Sequence, residues 1–578
     1  TGRLEANHPE GATVMPTATA TPAAQELPLR TSDEIQGNIL AGFNKDRQTF
    51  LFIQFTDATK ARAWLGALAP RIATTRQVAA FNDQFSAARR ASGGDDPQAL
   101  KATWVNLGLT AAGLRKLAPG LANDIAKFGS FNLGAVAQAA ALNDRGASAP
   151  EHWLFGGPRQ PSIDALVTVA ADDPNDLRLE LDRQRALLAT HGHMLVFEQR
   201  GETLPDVRAG HEHFGFKDGV SQPGVRGFHP TDPTDPTERQ GHPGTKMVAA
   251  GEFILGLPDE GGSTPPVPAW MVNGSFQVFR RLQQDVPGWW AQVSANAQTL
   301  NENDPMRLHV EQLAAKLVGR WRSGTPLAHA PEEDTSVTGE HGEDNDFNYD
   351  DDPNGFKTPR FAHIRKVYPR NAGFADNRHR IMRRGIPYGA PFDPAAGAGH
   401  GIDGDRGLLF NVFQASIENQ FEFVQQTWAN NSFFQQSGDG PDPVIGDADE
   451  RACTFHRSGQ PDAALDFRRF VHTTGAIYAF APSLNTIRGL ANGEIVPLPD
   501  DTLHVGDTAF VQRAGGLPLR LRDKPTVSGK VLSLLAPGTQ LTLLEGPRSA
   551  DGHPWWRVRT TDNRTGWVAG DNLLKNPD

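Results

Sequence analysis

The sequence predicts an α+β protein: two halves of antiparallel sheet with flanking helices, followed by a small all-β barrel. Three observations carry this. Short apolar strands and amphipathic helices alternate over the first 200 residues in the order β-α-β-β-α-β, which is the ferredoxin-like unit. Strand, helix and strand recur in that order between residues 275 and 482. From residue 505 the helical period disappears, and short β segments follow one another between Gly, Pro, Asp and Asn turns.

Residues 1–30, rich in Ala, Thr and Pro, cannot bury a core and are expected to form a disordered leader of the kind that follows a removed signal peptide. The first half is placed at 31–225. "QTFLFIQF" (48–55) is short, apolar and bounded by polar residues, as a buried strand should be, and a helix follows over 58–68. "ATWVNLGL" (102–109) and "DALVTVAA" (164–171) are strands, with the helix after Leu109 treated as an insertion. "PNDLRLELDRQRALLATH" (174–191) is an amphipathic helix, and "HMLVFEQR" (193–200) closes the unit. The second half is placed at 226–492: strand "SFQVFRRL" (275–282), helix "VPGWWAQVSANAQTL" (286–300), strand "GLLFNVFQAS" (407–416), helix "IENQFEFVQQTWANN" (417–431) and strand "GAIYAFAP" (475–482). A linker is expected over 493–504 and the β-barrel over 505–578.

Composition narrows the function. A net charge of −11 over 578 residues argues against a nucleic-acid partner, and no apolar run is long enough to span a bilayer. The single cysteine, Cys453, rules out an intramolecular disulfide, a cysteine-only metal site and c-type haem attachment. So few cysteines fit a secreted or cell-envelope protein, and equally a cytoplasmic one.

Three clusters could carry chemistry. "EHFGFKDGVSQPG" (212–224) sets Asp218 between Gly215 and Gly219. That is either an ordinary surface loop or an acid/base group on a loop able to approach a ligand closely. "FAHIRKVYPR" (361–370) places His363 among Arg365, Lys366 and Arg370. It is either a solvated basic face, or a haem ligand with arginines to take the propionates. "RIMRRGIPYG" (380–389) carries Arg383 and Arg384 into a Gly-Ile-Pro-Tyr-Gly turn. One of them is either a surface charge or a fixed cation facing developing negative charge. The acidic run at 339–355 could suggest a calcium or manganese site, but it lacks the spacing of an EF-hand and is expected to be an ordinary acidic loop.

Together, in this order, these segments resemble the dye-decolorizing peroxidase family of haem enzymes over residues 33 to 490. "DEIQGNILAGFNKD" is similar to its N-terminal signature, "GFKDG" to its Gly-x-x-Asp-Gly motif and "GLLFNVFQASIENQFEFVQQTW" to its haem-covering strand and helix. The resemblance implies a dimeric α+β barrel-like arrangement of the two halves, with one haem b per chain held non-covalently in the second. It implies His363 as axial ligand of the haem iron and Asp218 as distal acid/base. Arg383, four positions before Pro387, would be the catalytic arginine. Arg365 and Arg370 would take the propionates, Leu408 and Phe410 the distal apolar positions, and Gly215 and Gly219 the close approach to the porphyrin. Tyr368 stands where asparagine is common before the Pro-Arg pair, a change expected to alter the propionate side or a radical path without removing a catalytic group.

The implied activity is a peroxidase that uses hydrogen peroxide to oxidise bulky dyes, phenols or lignin-like compounds in one-electron steps. Tyr349, Tyr368, Tyr388, Tyr478 and Trp428 are the candidates for passing electrons through the protein. The alternatives are a haem-binding or haem-delivery protein, or a cell-wall-binding protein acting through its C-terminal module. That module, 505–578, resembles bacterial Src-homology-3-like domains, which commonly bind cell-wall peptides, although "LPLRLRDKP" departs from their usual asparagine-bearing segment.

Overall fold

The structure, a computed structural model, describes residues 27–232, 240–241, 245–301, 309–335, 345–370, 377–392, 404–446, 450–495, 503, 505–512 and 518–575. Most of the leader, most of the linker and the start of the acidic run lie outside these residues.

Nine strands form one antiparallel sheet. β1 (Arg47–Gln54), β2 (Thr103–Leu109), β3 (Ala165–Ala171) and β4 (Met194–Glu202) come from the first half. β5 (Ser275–Gln284), β6 (Met382–Arg383), β7 (Ile386–Tyr388), β8 (Gly407–Gln414) and β9 (Val471–Ala481) come from the second. Their order is β4-β1-β3-β2-β9-β5-β8-β6, with β7 also paired to β8. Each half therefore has the same internal order of strands, fourth-first-third-second. The two units fuse where Leu109 of β2 meets Phe480 of β9.

The second-strand place of the second half is the one sequence reading gets wrong. What reads as a turn is β6 and β7, both laid on β8. Pro387 has no N–H to offer a ladder, so the pairing stays short; the Arg384 N–H keeps the register by donating to Asn411 O at 2.7 Å.

β1 shows why its sequence is apolar without alternation: both its faces are buried. Phe50 and Phe52 meet Phe155, Leu166, Phe279 and Leu409 in a core shared by the two halves. Leu51 and Ile53 face the helix side, where Trp64, Leu65 and Leu68 of α1 (Ala58–Leu68) pack. The free edge of β4 curls toward the other end of the sheet. A Cβ on Gly201 would sit 2.5 Å from the Ile386 side chain and 3.1 Å from Leu409, so only glycine allows this barrel-like closure.

Further helices are α2 (Thr75–Ala91), α3 (Pro174–His191), α4 (Val286–Asn301) and the short α5 (His363–Val367). The helix expected over 417–431 is present and is π-helical, at Ile417–Glu422 and Val424–Ala429. Seven antiparallel strands between Thr508–Val511 and Leu573–Leu574 curl around a separate core that includes Leu521, Leu541, Trp556 and Val568. Among the described residues no helix is long and apolar enough to cross a membrane.

Candidate active site

A cavity of about 300 Å³ opens between the second half of the sheet, the 212–223 loop, α5 and the π-helical segment. Asp218, Arg383 and His363 all line it. Their side chains are 35%, 34% and 27% exposed, enough for their polar atoms to be reached from inside.

The loop that carries Asp218 is pinned by its neighbours. Glu212 accepts from the N–H groups of Phe214 (2.8 Å) and Phe216 (2.9 Å) and from Gln284 Nε2 (2.6 Å). Burial pushes the Glu212 carboxyl above the usual range in spite of these bonds. Phe214 stacks on Trp289 of α4, with centroids 4.9 Å apart. Gly215 and Gly219 adopt φ of 99° and 77°, which lets the chain turn on either side of Asp218.

Asp218 Oδ1 accepts from the Gly219 N–H (2.6 Å) and from Arg383 Nη1 (2.8 Å). Oδ2 has no partner among the described residues, so one carboxylate oxygen is held and the other is open. Burial pulls the Asp218 carboxyl up, but the Arg383 guanidinium and the Gly219 N–H outweigh it and hold the carboxyl below its ordinary value. Arg383, on β6, is itself fixed by Ser221 O, which accepts from Nη2 at 2.8 Å.

His363 begins α5, and its Nδ1 lies 2.8 Å from Oδ2 of the buried Asp442. Asp442 Oδ1 accepts from the Val444 and Ile445 N–H groups, so its second oxygen points at the imidazole. Burial opposes a charged imidazole, but the Asp442 charge and hydrogen bond outweigh it and raise the His363 pKa. Nε2 has no partner among the described residues.

The expected arginines divide. Arg370, with φ of 61°, lines the cavity and donates to Asn345 O and Phe347 O. Arg365 does not reach the cavity. It is 1% exposed, donates to Thr358 O and to Asp352, and lies over the Tyr349 ring, so it is a buried strut of the preceding loop. Gly215 lies off the cavity as well, whereas Gly219, Leu408 and Phe410 line it. Arg384 is spent on the backbone, donating to Asn38 O, Ile39 O and Leu40 O. Of the aromatic candidates, Tyr368 lines the cavity, and Tyr349, Tyr388, Tyr478 and Trp428 are buried.

Sequence reasoning missed Arg380. It lines the cavity with its guanidinium 3.7 Å from the centre of the Tyr368 ring, while Arg370 lies 5.0 Å from that ring. Tyr368 therefore serves as a shelf for two cations. Burial pushes the Arg380 guanidinium down to about 10, and its Nη1 is buried with no hydrogen-bond partner among the described residues. Its spacing from Arg383, three residues earlier in "RIMRR", was the available signal. Asp442 carried none, lying 79 residues from His363.

Residues 34–196 match the family model for the DyP dimeric alpha+beta barrel domain, and residues 263–436 match that for the Dyp-type peroxidase C-terminal region. Residues 516–573 match the bacterial SH3 domain. Peroxidase 2 of Mycetinis scorodonius is 31% identical over 83% of this chain and 91% of its own length. A dye-decolorizing peroxidase of Mycena epipterygia is 33% identical over 79% of this chain and 86% of its own. A dye-decolorizing peroxidase solved in complex with 2,6-dimethoxyphenol, 31% identical, superposes with a TM-score of 0.67, covering 80% of this chain and all of the other. Fold, cavity and likeness agree, and the chain belongs to the dye-decolorizing peroxidase family.

Proposed function

We propose that this chain binds one haem b through His363 and uses hydrogen peroxide to oxidise bulky dyes and phenols, in one-electron steps, with Asp218 and Arg383 as its catalytic residues. The observation that carries the reading is the pairing of roles in one cavity. An open carboxylate oxygen is held by an arginine, and a histidine held by a buried carboxylate leaves Nε2 unused.

The residues present fit a haem. Apolar side chains, among them Val367, Leu408, Phe410 and Phe421, line a cavity that also presents an imidazole. The buried, unpartnered Nη1 of Arg380 calls for an anion. Arg380 and Arg370 would take the propionates and His363 Nε2 the iron. Asp442 would keep the imidazole oriented and strongly basic. Bound there, haem supplies the capacity to take two oxidising equivalents from peroxide and to pass them on singly.

Asp218 takes a proton from one peroxide oxygen on its open Oδ2 and returns it to the other oxygen, which leaves as water. Arg383, already aimed by Ser221 and Asp218, stabilises the negative charge that develops as the O–O bond breaks. Because Arg383 also lowers the Asp218 pKa, the base stays ionised in acid, and the activity extends to low pH. The phenol in the related complex makes phenols the donors to test first. The C-terminal domain would bind a cell-wall peptide and hold the enzyme at the envelope or outside it.

Absorption spectra of the purified protein before and after peroxide test this reading. The expected result is a histidine-ligated haem spectrum that changes with one equivalent of peroxide. His363→Ala should strip most of the haem, and full occupancy with unchanged axial ligation in that variant would overturn the assignment.

A further inference from the structure

A buried ion pair, Arg360–Asp439, lies beside the His363–Asp442 bond. Arg360 is 6% exposed and Asp439 1%. Arg360 Nε donates to Asp439 Oδ2 and Nη2 to Oδ1, both at 2.8 Å, fork against fork. The two pairs repeat with one offset, since Arg360 and Asp439 stand three residues before His363 and Asp442 respectively. Neither Arg360 nor Asp439 lines the cavity.

The loop around Asp439 is gripped from the other side by a two-stranded hairpin, Glu450–Phe455 and Ala463–Arg468. The Thr454 N–H donates to Asp439 O (3.0 Å), Thr454 Oγ1 to Gly438 O (2.6 Å) and Cys453 Sγ to Pro441 O (3.3 Å). His456, just past the first strand, sets Nε2 3.0 Å from Arg360 Nη2 and 3.3 Å from Asp439 Oδ1. Arg360 Nη1 donates to Pro353 O at 2.9 Å.

Burying an ion pair costs desolvation, and packed apolar residues would hold two segments together as well. What a guanidinium–carboxylate fork adds is a fixed distance and angle. Here that fixed geometry lies one turn from the bond that orients the imidazole.

We propose that Arg360 and Asp439 are positioning residues for the cofactor iron. Their clasp sets the register of the His363 segment against the Asp442 loop, and through it the strength of the His363–Asp442 hydrogen bond. The proposal rests on the reading of His363 as the iron ligand. A slackened clasp weakens that bond, makes the imidazole less basic, and favours the reduced iron.

The test uses the full-length haem protein and two variants. Arg360→Lys keeps the charge without the fork, and the double variant Arg360→Gln/Asp439→Asn keeps the net charge with neither ion. Both should shift the reduction potential upward, by roughly tenfold in the one-electron equilibrium, or about 59 mV. The iron–histidine stretch of the reduced proteins should move to lower frequency in step. Variants that melt at lower temperature with potential and stretch unchanged would make the clasp a stabilising contact only, and overturn the proposal. Arg360→Lys retains the charge balance and decides the question alone if the double variant does not fold. A wild-type protein with no iron–histidine band would instead overturn the reading of His363.

Discussion

Asp218 and the adjacent arginines Arg383 and Arg384 show how much a single position decides. Replacing Asp218 with asparagine keeps the shape and the bond to Arg383 but removes the base. Haem should stay bound, peroxide should react more slowly, and the acid limb of the pH profile should vanish. In the wild type that limb should lie below the ordinary aspartate value of 3.8, because the lowered pKa keeps the carboxylate ionised until the pH falls through it. Arg383→Leu should slow the reaction with peroxide by about 10² to 10³-fold and move any remaining acid limb upward, since the cation that holds the carboxyl down is gone. Arg384→Leu should leave that rate nearly unchanged. It strands three backbone carbonyls, at about 1–3 kcal/mol for each one left unsatisfied, and should appear in a denaturation curve instead. Stopped-flow mixing across pH, beside a melting curve, separates the three variants. The motif fragments made Asp218, His363 and Arg383 legible in sequence. Closeness along the chain misled for Arg365, because a helix as short as α5 turns a residue two positions on into another environment.

At the scale of elements, the strands were legible where both faces are buried, as in β1, and lost where they are two or three residues long, as in β6 and β7. α2 passed unnoticed because it buries only Thr75, Val78 and Ala79, too thin a stripe to mark a helical period. Its Thr74–Gln77 capping box was in the sequence all along. The π-helical segment is different in kind: no residue pattern separates a five-residue from a four-residue bond, and the wider turn lines the cavity with Phe421, Val424 and Gln425. Closure of the sheet depends on β4 passing β7 without a side chain between them. Gly201→Val should therefore destabilise the fold by about 1–3 kcal/mol, and a denaturant titration of the haem-free protein measures it.

For the whole molecule, duplication was legible because each half repeats its own order of strand and helix, while the fusion of two sheets into one rests on the single Leu109–Phe480 pairing, which nothing in the sequence announces. The C-terminal sheet has its own core, so removing residues 505–578 should leave haem content and peroxide reactivity within about twofold and abolish retention on isolated cell wall; binding and rate assays on the truncated chain check both. The place of β9 has one more consequence. It is the last strand of the nine-stranded sheet in sequence, yet it sits between β2 and β5, and it supplies Val471 and Thr473 to the cavity wall. A ribosome adding residues from the N-terminus therefore releases both halves of the sheet before the strand that joins them exists. A chain cut short before residue 471 should therefore lack part of the cavity wall and leave the two sheet edges that flank β9 unpaired.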